Sequence, residues 1–337
     1  MNIGQIFTYP AEQQKQRERA KKLSWLSIAL LVSAAIFLFF TLGQSQAMKT
    51  AWISDVLTAI PPMALLLAMH YELRPPSKRF PFGYTRSVAI AFLVTSAVLS
   101  LIGLYLLYDS LTKLVTQQRP PIGTMVVFGH QFWAGWAMVV SLAYSLLCGL
   151  VLGLLKKPVA KKLHDKALNA EATMNRDEWL SEGAAILGII LVAFGHWWGD
   201  AAAAAFIAVE IVHDGWLNTR LIIGDLMDES PTMMGEHKLE EITAKVRDHV
   251  EQLGWVSSAA VRLREHGRAL TGELFVVLAD EHDVVERIAQ VADRAREVDW
   301  RLHDIAVMPV SHLDEQDPPI HVRAPRRSAV RQAQGTG

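Results

Sequence analysis

Cysteine is almost missing from this chain: Cys148 is the single one in 337 residues. One thiol excludes an intrachain disulfide framework and any zinc site built from a cysteine cluster. An excess of one charge sign is missing too. Lys and Arg total 33 against 34 for Asp and Glu, giving a net charge of −1. The broad basic field of a nucleic-acid binder is therefore absent. Neither His-Glu-x-x-His nor Gly-x-Ser-x-Gly occurs, which leaves an intramembrane enzyme little support. The expectation is a protein that is not an enzyme and holds no tightly bound cofactor.

Apolar sequence is plentiful. Hydrophobic residues make up 51% of the chain and charged residues 20%, but the two are unevenly spread. The long apolar runs lie between 23 and 224, whereas 232–337 is rich in Arg, Asp and Glu. A helix needs about 20 mostly apolar residues to cross a hydrocarbon core of about 30 Å. Six runs qualify: 23–43, 51–72, 86–108, 131–155, 168–197 and 201–223. The first follows a charged lead and shows no small-x-small cleavage site, so it reads as a span rather than a signal peptide.

Positive charge orients the spans. The lead (residues 1–22) and the connections after the second and fourth spans carry fourteen Lys and Arg, among them Arg74, Arg86, Lys156 and Lys166. The opposite connections hold only Lys49, Lys113 and Arg119. Both termini are thus expected in the cytoplasm, in a membrane read as a bacterial inner membrane. Trp133, Trp136, Trp197 and Trp198 fall near the outer face, where amphipathic rings anchor well.

Beyond Gly224 the pattern becomes that of a soluble domain, 232–310. Glu236–Leu253 has helical periodicity, with Leu239, Ile242, Val246 and Val250 on one face. Ser258–Leu263 and Thr271–Ala279 read as strands around the turn His266-Gly267-Arg268. Val284–Val298 is a second amphipathic helix and Leu302–Val310 a third strand. The fold class expected is therefore an α-helical membrane protein: six transmembrane helices followed by a small cytoplasmic α+β domain of order α-β-β-α-β. The polar, proline-containing stretch 311–337 reads as a disordered tail, with lipid contact by Arg326 and Arg327 as the alternative.

This layout resembles the cation diffusion facilitator family over about residues 20–310. Between the second and third spans the family often carries a His-Pro-Phe-Gly-His-Gly-Arg type stretch. Here the run is Phe80-Pro81-Phe82-Gly83-Tyr84-Thr85-Arg86, agreeing at Pro81, Phe82, Gly83 and Arg86. After the sixth span, Leu226-Met227-Asp228-Glu229-Ser230-Pro231 is similar to the family's Leu-Leu-Asp-x-x-Pro, and Ser54-Asp55 to its Ala-Asp. The resemblance implies a homodimer that exports a divalent metal against protons by alternating access. One ion would be held at mid-membrane in each protomer, with zinc, manganese, iron and cobalt left unresolved.

The resemblance also implies four ligands, two each from the second and fifth spans at i and i+4. This sequence departs from that pattern. Asp55 is present, but its partner position is Ala59. On the fifth span Met174 stands at the His position and Glu178 at the Asp position. Asp55 and Glu178 would suit an ion that prefers oxygen better than zinc. Ionisable residues inside a membrane are costly and each is a functional candidate. Glu171, Asn175, Glu178 and Glu182 recur at helical spacing on one face, and the sixth span adds Glu210, His213 and Asp214. The metal candidates are Asp55, Glu178 and Glu182. Glu171, Asn175, Glu210, His213 and Asp214 are candidates for a proton or second metal site, and paired polar contacts without transport are the alternative for all of them. Asp177 lies one residue off the stripe, so a register error of one would exchange its role with that of Glu178.

Pro61-Pro62 frees backbone carbonyls in the second span and reads either as a hinge or as a static kink. Gly43, Gly103 and Gly188 read as sites of close helix approach. His70 reads as interfacial and Met174 as core filling. The positions for an interfacial metal site hold Ser77, Phe80 and Tyr84, which are poor ligands. His249, His266, His282, His303 and His312 read as solvated surface groups, so the soluble domain is expected to act through dimerisation. Two functions stand: a proton-coupled divalent cation exporter, or a transport-deficient family member that stabilises a partner, for example in a heterodimer.

Overall fold

The computed structural model describes residues 9–72, 74, 77–81, 83–84, 86–118, 122–127, 130–234, 239–280 and 282–313. The expectations for residues 1–8, Phe82, Thr85 and the tail beyond 313 lie outside the described residues. The chain divides into two units: 1–238 together with His266–Arg268, and 239–265 together with 269–337.

In the first unit the helices are α1 (Ala11–Thr41), α2 (Gln46–Thr58), α3 (Ile60–Glu72) and α4 (Ser87–Val115), then, after a short hairpin, α5 (Ala134–Leu163), α6 (Lys166–Ala193) and α7 (Gly199–Leu226). The hairpin pairs β1 (Thr124–Val127) antiparallel with β2 (His130–Trp133). Sequence periodicity gave no sign of it and assigned 131–133 to a span instead. Among the described residues, four stretches are long and apolar enough to cross a membrane: Ala11–Thr41, Gln46–Glu72, Ala89–Val115 and Ala134–Leu163. The helices α6 and α7 are comparably long but carry more polar residues.

The second apolar run is broken. Its first half ends at Thr58, Ala59 adopts a turn, and α3 begins one residue before Pro61-Pro62. Neither proline can donate an N–H back to the preceding turn, so the break falls where the prolines require it. The prolines thus open the second half of a helix interrupted at Ala59, whose own backbone stays near helical values (φ −75°, ψ −16°).

Helix packing in this unit relies on small residues. Gly103 lets α4 approach α7, since a Cβ there would stand 2.9 Å from Ile211 and Val212 side-chain carbons. Gly188 does the same between α6 and α7, where Ala203 and the Gly199 carbonyl are the neighbours. Gly43 also allows close approach, since a Cβ there would stand 2.7 Å from Met138 Cε of α5, and its φ of +54° makes the turn between α1 and α2, a conformation that costs glycine little. The apolar core gathers Leu38, Met48, Leu57, Leu106, Leu142, Ile189 and Ile207.

The second unit follows the expected order: α8 (Ile242–Val250), β3 (Val256–His266), β4 (Ala269–Leu278), α9 (Val284–Arg296) and β5 (Leu302–Pro309). The sheet order is β3-β4-β5, and β4 pairs parallel with β5 in the register Leu270↔Leu302 to Val276↔Pro309. A parallel pair needs a crossover, which α9 supplies. The helices bury Ile242, Val246, Val250, Val291 and Ala295 against Val261, Leu263, Leu274, Val276 and Ile305 of the strands. The first helix is shorter than expected, starting at Ile242; residues 235–238 lie outside the described ones.

Candidate metal site

The helix break sets Asp55 in place. It sits in the last turn of α2, and Ala59 N–H donates to its backbone carbonyl across the break. The other end of α2 is held by Asp200 of α7, which is buried. Its carboxylate accepts from the Ser45 hydroxyl (2.5 Å) and from the backbone N–H groups of Gln46 (2.5 Å) and Ala47 (3.2 Å). A carboxylate at a helix N-terminus satisfies free donors and complements the helix dipole. Asp200 was not among the sequence candidates; its signal was an acidic residue in an otherwise alanine-rich first turn of α7.

The helix α5 packs against α6 through Gly149 and Gly153. A Cβ at Gly149 would collide with the Glu178 carboxylate and stand 2.8 Å from the Asn175 carbonyl oxygen; one at Gly153 would stand 2.8 Å from the Ala172 carbonyl oxygen. This small-xxx-small spacing allows close backbone approach. It also runs the two helices antiparallel, since the later glycine meets the earlier part of α6.

Three carboxylates gather at this depth. Asp55 is 0% exposed, Glu182 1% and Glu178 7%. Ser145 of α5 donates to Asp55 Oδ2 at 2.6 Å, and Glu182 stands beside Asp55 and Ser145. Thr58, at the end of α2, neighbours Glu178. Ser145 and Thr58 were missed from sequence, although Ser141, Ser145, Gly149 and Gly153 form one small-residue stripe that marks the face of α5 turned to α6. Asp55 Oδ1, Glu182 Oε2 and both Glu178 carboxylate oxygens have no hydrogen-bond partner. Buried acceptors left unmatched are costly and call for a cation or a proton. Among the described residues, no three His, Cys, Asp or Glu side chains stand at metal-holding geometry in this state; the carboxylates would have to close on an ion to bind it.

Glu171 and Asn175 continue the same face of α6. Both are buried, and neither Asn175 side-chain atom has a hydrogen-bond partner. Glu171 makes an ion pair with Lys156, which is itself fully buried. This corrects the charge reading: Lys156 is not in a connection, because α5 runs on through Pro158 to Leu163. Lys157, Lys161 and Lys162 are likewise on α5, and only His164 and Asp165 separate it from α6.

Of the α7 candidates, Glu210 stands within electrostatic reach of Glu178, while His213 turns to the outside. Glu210 accepts from Ser181, on another face of α6. Asp214 pairs with His213 at 3.3 Å, and the His213 side chain is 70% exposed. Spacing alone groups residues on a helix face; it does not say where that face turns. Asp177 is engaged with Arg176 at 2.9 Å while Glu178 faces inward. The Met174 sulfur accepts from Asn218 at 3.6 Å. His70 is exposed at the end of α3.

At the end of the unit away from Ser45, Arg268 is buried between Asp165 (2.5 Å) and Glu72 (3.0 Å). Burial works against its charge, but Asp165 and Glu72 outweigh it and hold the guanidinium protonated above its ordinary range. Burial also pushes the Tyr9 phenol above its usual range, so it stays protonated and donates to Glu72 at 2.6 Å. Two motif positions far apart in sequence meet here: Arg86 pairs with Asp228. His266 is not a solvated histidine, since its Nε2 lies 3.0 Å from the Arg86 guanidinium.

Comparison with known proteins agrees with this layout. The family model for the cation efflux transmembrane domain matches residues 23–227. The manganese efflux system protein MneS of Bacillus subtilis is 22% identical over 306 residues, 90% of this chain and 97% of that protein. MneP of the same organism, also a manganese efflux system protein, is 25% identical over 304 residues, 86% and 92% of the two chains. The metal cation efflux system protein CzcD of Cupriavidus metallidurans is 24% identical over 213 residues, 61% and 62%. With its apolar membrane helices and a family match across most of the first unit, this chain is an integral membrane protein of the cation efflux family.

Proposed function

We propose that this protein exports a divalent metal cation in exchange for protons by alternating access, with Asp55, Glu178 and Glu182 as the ion's oxygen ligands. The observation that carries the reading is the set of three buried carboxylates with unpartnered oxygens beside the break between α2 and α3. Carboxylate and water ligands suit manganese or another hard ion better than zinc. The names of MneS and MneP point the same way. A metal ligand must be deprotonated, so protonating these carboxylates releases the ion and couples it to proton flow. In this reading α6 and α7 are also spans, making six in a domain of 23–224. Both termini face the cytoplasm of a bacterial inner membrane, the domain 232–310 supports a homodimer, and the broken second span is the moving element. Glu210, His213 and Asp214 serve proton movement rather than holding the ion.

A second reading is a transport-deficient partner subunit. It is favoured by Ala59 at the break and by the engagement of the Met174 sulfur with Asn218. Flux in reconstituted vesicles separates the two. The unmutated protein moves manganese with counter-flow of protons, and Asp55→Ala or Glu178→Ala lowers that flux at least about 100-fold, because outer-shell ligand partners alone already matter 10–100-fold. No flux with manganese, zinc, iron or cobalt favours the partner subunit. Flux that survives both substitutions removes the site.

A further inference from the structure

Lys156 is the largest fully buried side chain in the described residues, and it is a charged one. Its ammonium pairs with one oxygen of Glu171, whose second oxygen, Oε2, has no partner. One turn further along α6 lies Asn175, buried with both amide atoms unpartnered, and then Glu178 with both oxygens unpartnered. Lysine, unpartnered amide and unpartnered carboxylate thus form one continuous polar file along the α5–α6 contact.

The chain directions make this file passable for a lysine head. Helix side chains lean toward the N-terminus of their own helix. In antiparallel α5 and α6, Lys156 therefore leans toward the level of Gly149, and Glu178 leans toward the level of Lys156. Glu171 and Glu178 are separated by about 10.5 Å of helix rise, a gap that a four-carbon lysine stem and a glutamate arm can close between them. Gly149 and Gly153 set no side chain of α5 against Glu178 and Ala172.

We propose that Lys156 is a tethered substitute for the transported cation. Once the ion has left, its ammonium leaves Glu171, passes the Asn175 amide and pairs with Glu178. The empty site then carries the ammonium on Glu178 and the exchanged protons on Asp55 and Glu182, and the carrier can return without a metal. An arriving ion displaces the ammonium, which falls back to Glu171. This inference rests on the carboxylate site proposed above. It adds a component that acts on the empty carrier, and no bond is made or broken.

Two manganese fluxes in vesicles test it: net efflux, which needs return of the empty carrier, and exchange of external for internal manganese, which does not. Lys156→Met with Glu171→Gln removes both charges together and avoids a stranded buried carboxylate. Asn175→Leu keeps the ion pair and blocks its path, and it breaks no hydrogen bond of the described structure. For each variant that elutes as the unmutated protein does, net efflux falls about 10-fold, exchange persists, and the KM for manganese drops as a competing internal cation is lost. If the ammonium occupies the empty site about nine-tenths of the time, KM falls about 10-fold when it is removed. A correctly folded variant of either kind with an unchanged ratio of net efflux to exchange and an unchanged KM overturns the proposal. Failure of the double variant to fold leaves Asn175→Leu to decide. Failure of the carboxylate-site reading itself shows differently: Asp55→Ala then leaves exchange unchanged, whereas with the site in place it abolishes exchange.

Discussion

The carboxylate cluster of the helical unit and the Arg301 site of the sheet unit treat buried charge in opposite ways. In the second unit Arg301 is buried, and every arm of its guanidinium is used: it donates to Glu240 at 2.6 and 3.1 Å and to Asp299 at 3.0 and 3.1 Å. In the first unit Asp55, Glu171, Glu178 and Glu182 are buried with oxygens left over. Among the described residues, buried carboxylate oxygens without partners occur only there. Full pairing serves stability, whereas incomplete pairing leaves capacity for something that comes and goes. A cation or proton is what such capacity accepts.

That contrast can be tested by substitution, and the largest effect is expected in the sheet unit. Arg301→Ala strands two carboxylates at a packed turn and should cost about 3 kcal/mol, the lower end of the range for breaking a buried pair, since Glu240 and Asp299 keep some solvent. Calorimetry of the purified chain should show its unfolding transition lowered accordingly. Gly149→Ala comes next. The new methyl would meet the Glu178 carboxylate and the Asn175 carbonyl oxygen, so α5 and α6 must part, at about 1–3 kcal/mol; thermal stability in detergent reads this. The smallest effect has the opposite sign. Glu182→Gln removes a buried carboxylate with an unpartnered oxygen that Lys156 is not assigned to, and should raise the stability of the metal-free protein by about 1 kcal/mol while lowering flux. A drop in metal-free stability would mean that Glu182 is compensated after all and that the contrast is false.

Much of this was legible in the sequence. Apolar runs located the helices of the first unit because burial and hydrocarbon length leave a strong compositional trace, and alternation with turn residues located the α-β-β-α-β order. The inward face of α6 was legible from the spacing of Glu171, Asn175, Glu178 and Glu182. What was not legible depended on contacts distant in sequence. Composition ended the fourth span at 155, because Lys156 and the lysines after it look like a solvated connection, yet Glu171 gives Lys156 a buried partner and the helix continues. Ser145 and Thr58 became visible only when α5 and the end of α2 met α6. The polar residues of α7 shared a face as expected, but nothing local told which way it turned. Arg268, at a hairpin turn with Gly267 at φ +66°, gave no sign that it would be buried against Asp165 and Glu72.

The central claim is that the unpartnered carboxylates of the first unit hold the ion. Anomalous diffraction from crystals soaked in manganese tests it most directly. A manganese peak is expected between Asp55 of α2 and Glu178 and Glu182 of α6, absent in Asp55→Ala crystals soaked alike. A manganese peak elsewhere in the bundle, with none between those carboxylates, would contradict it.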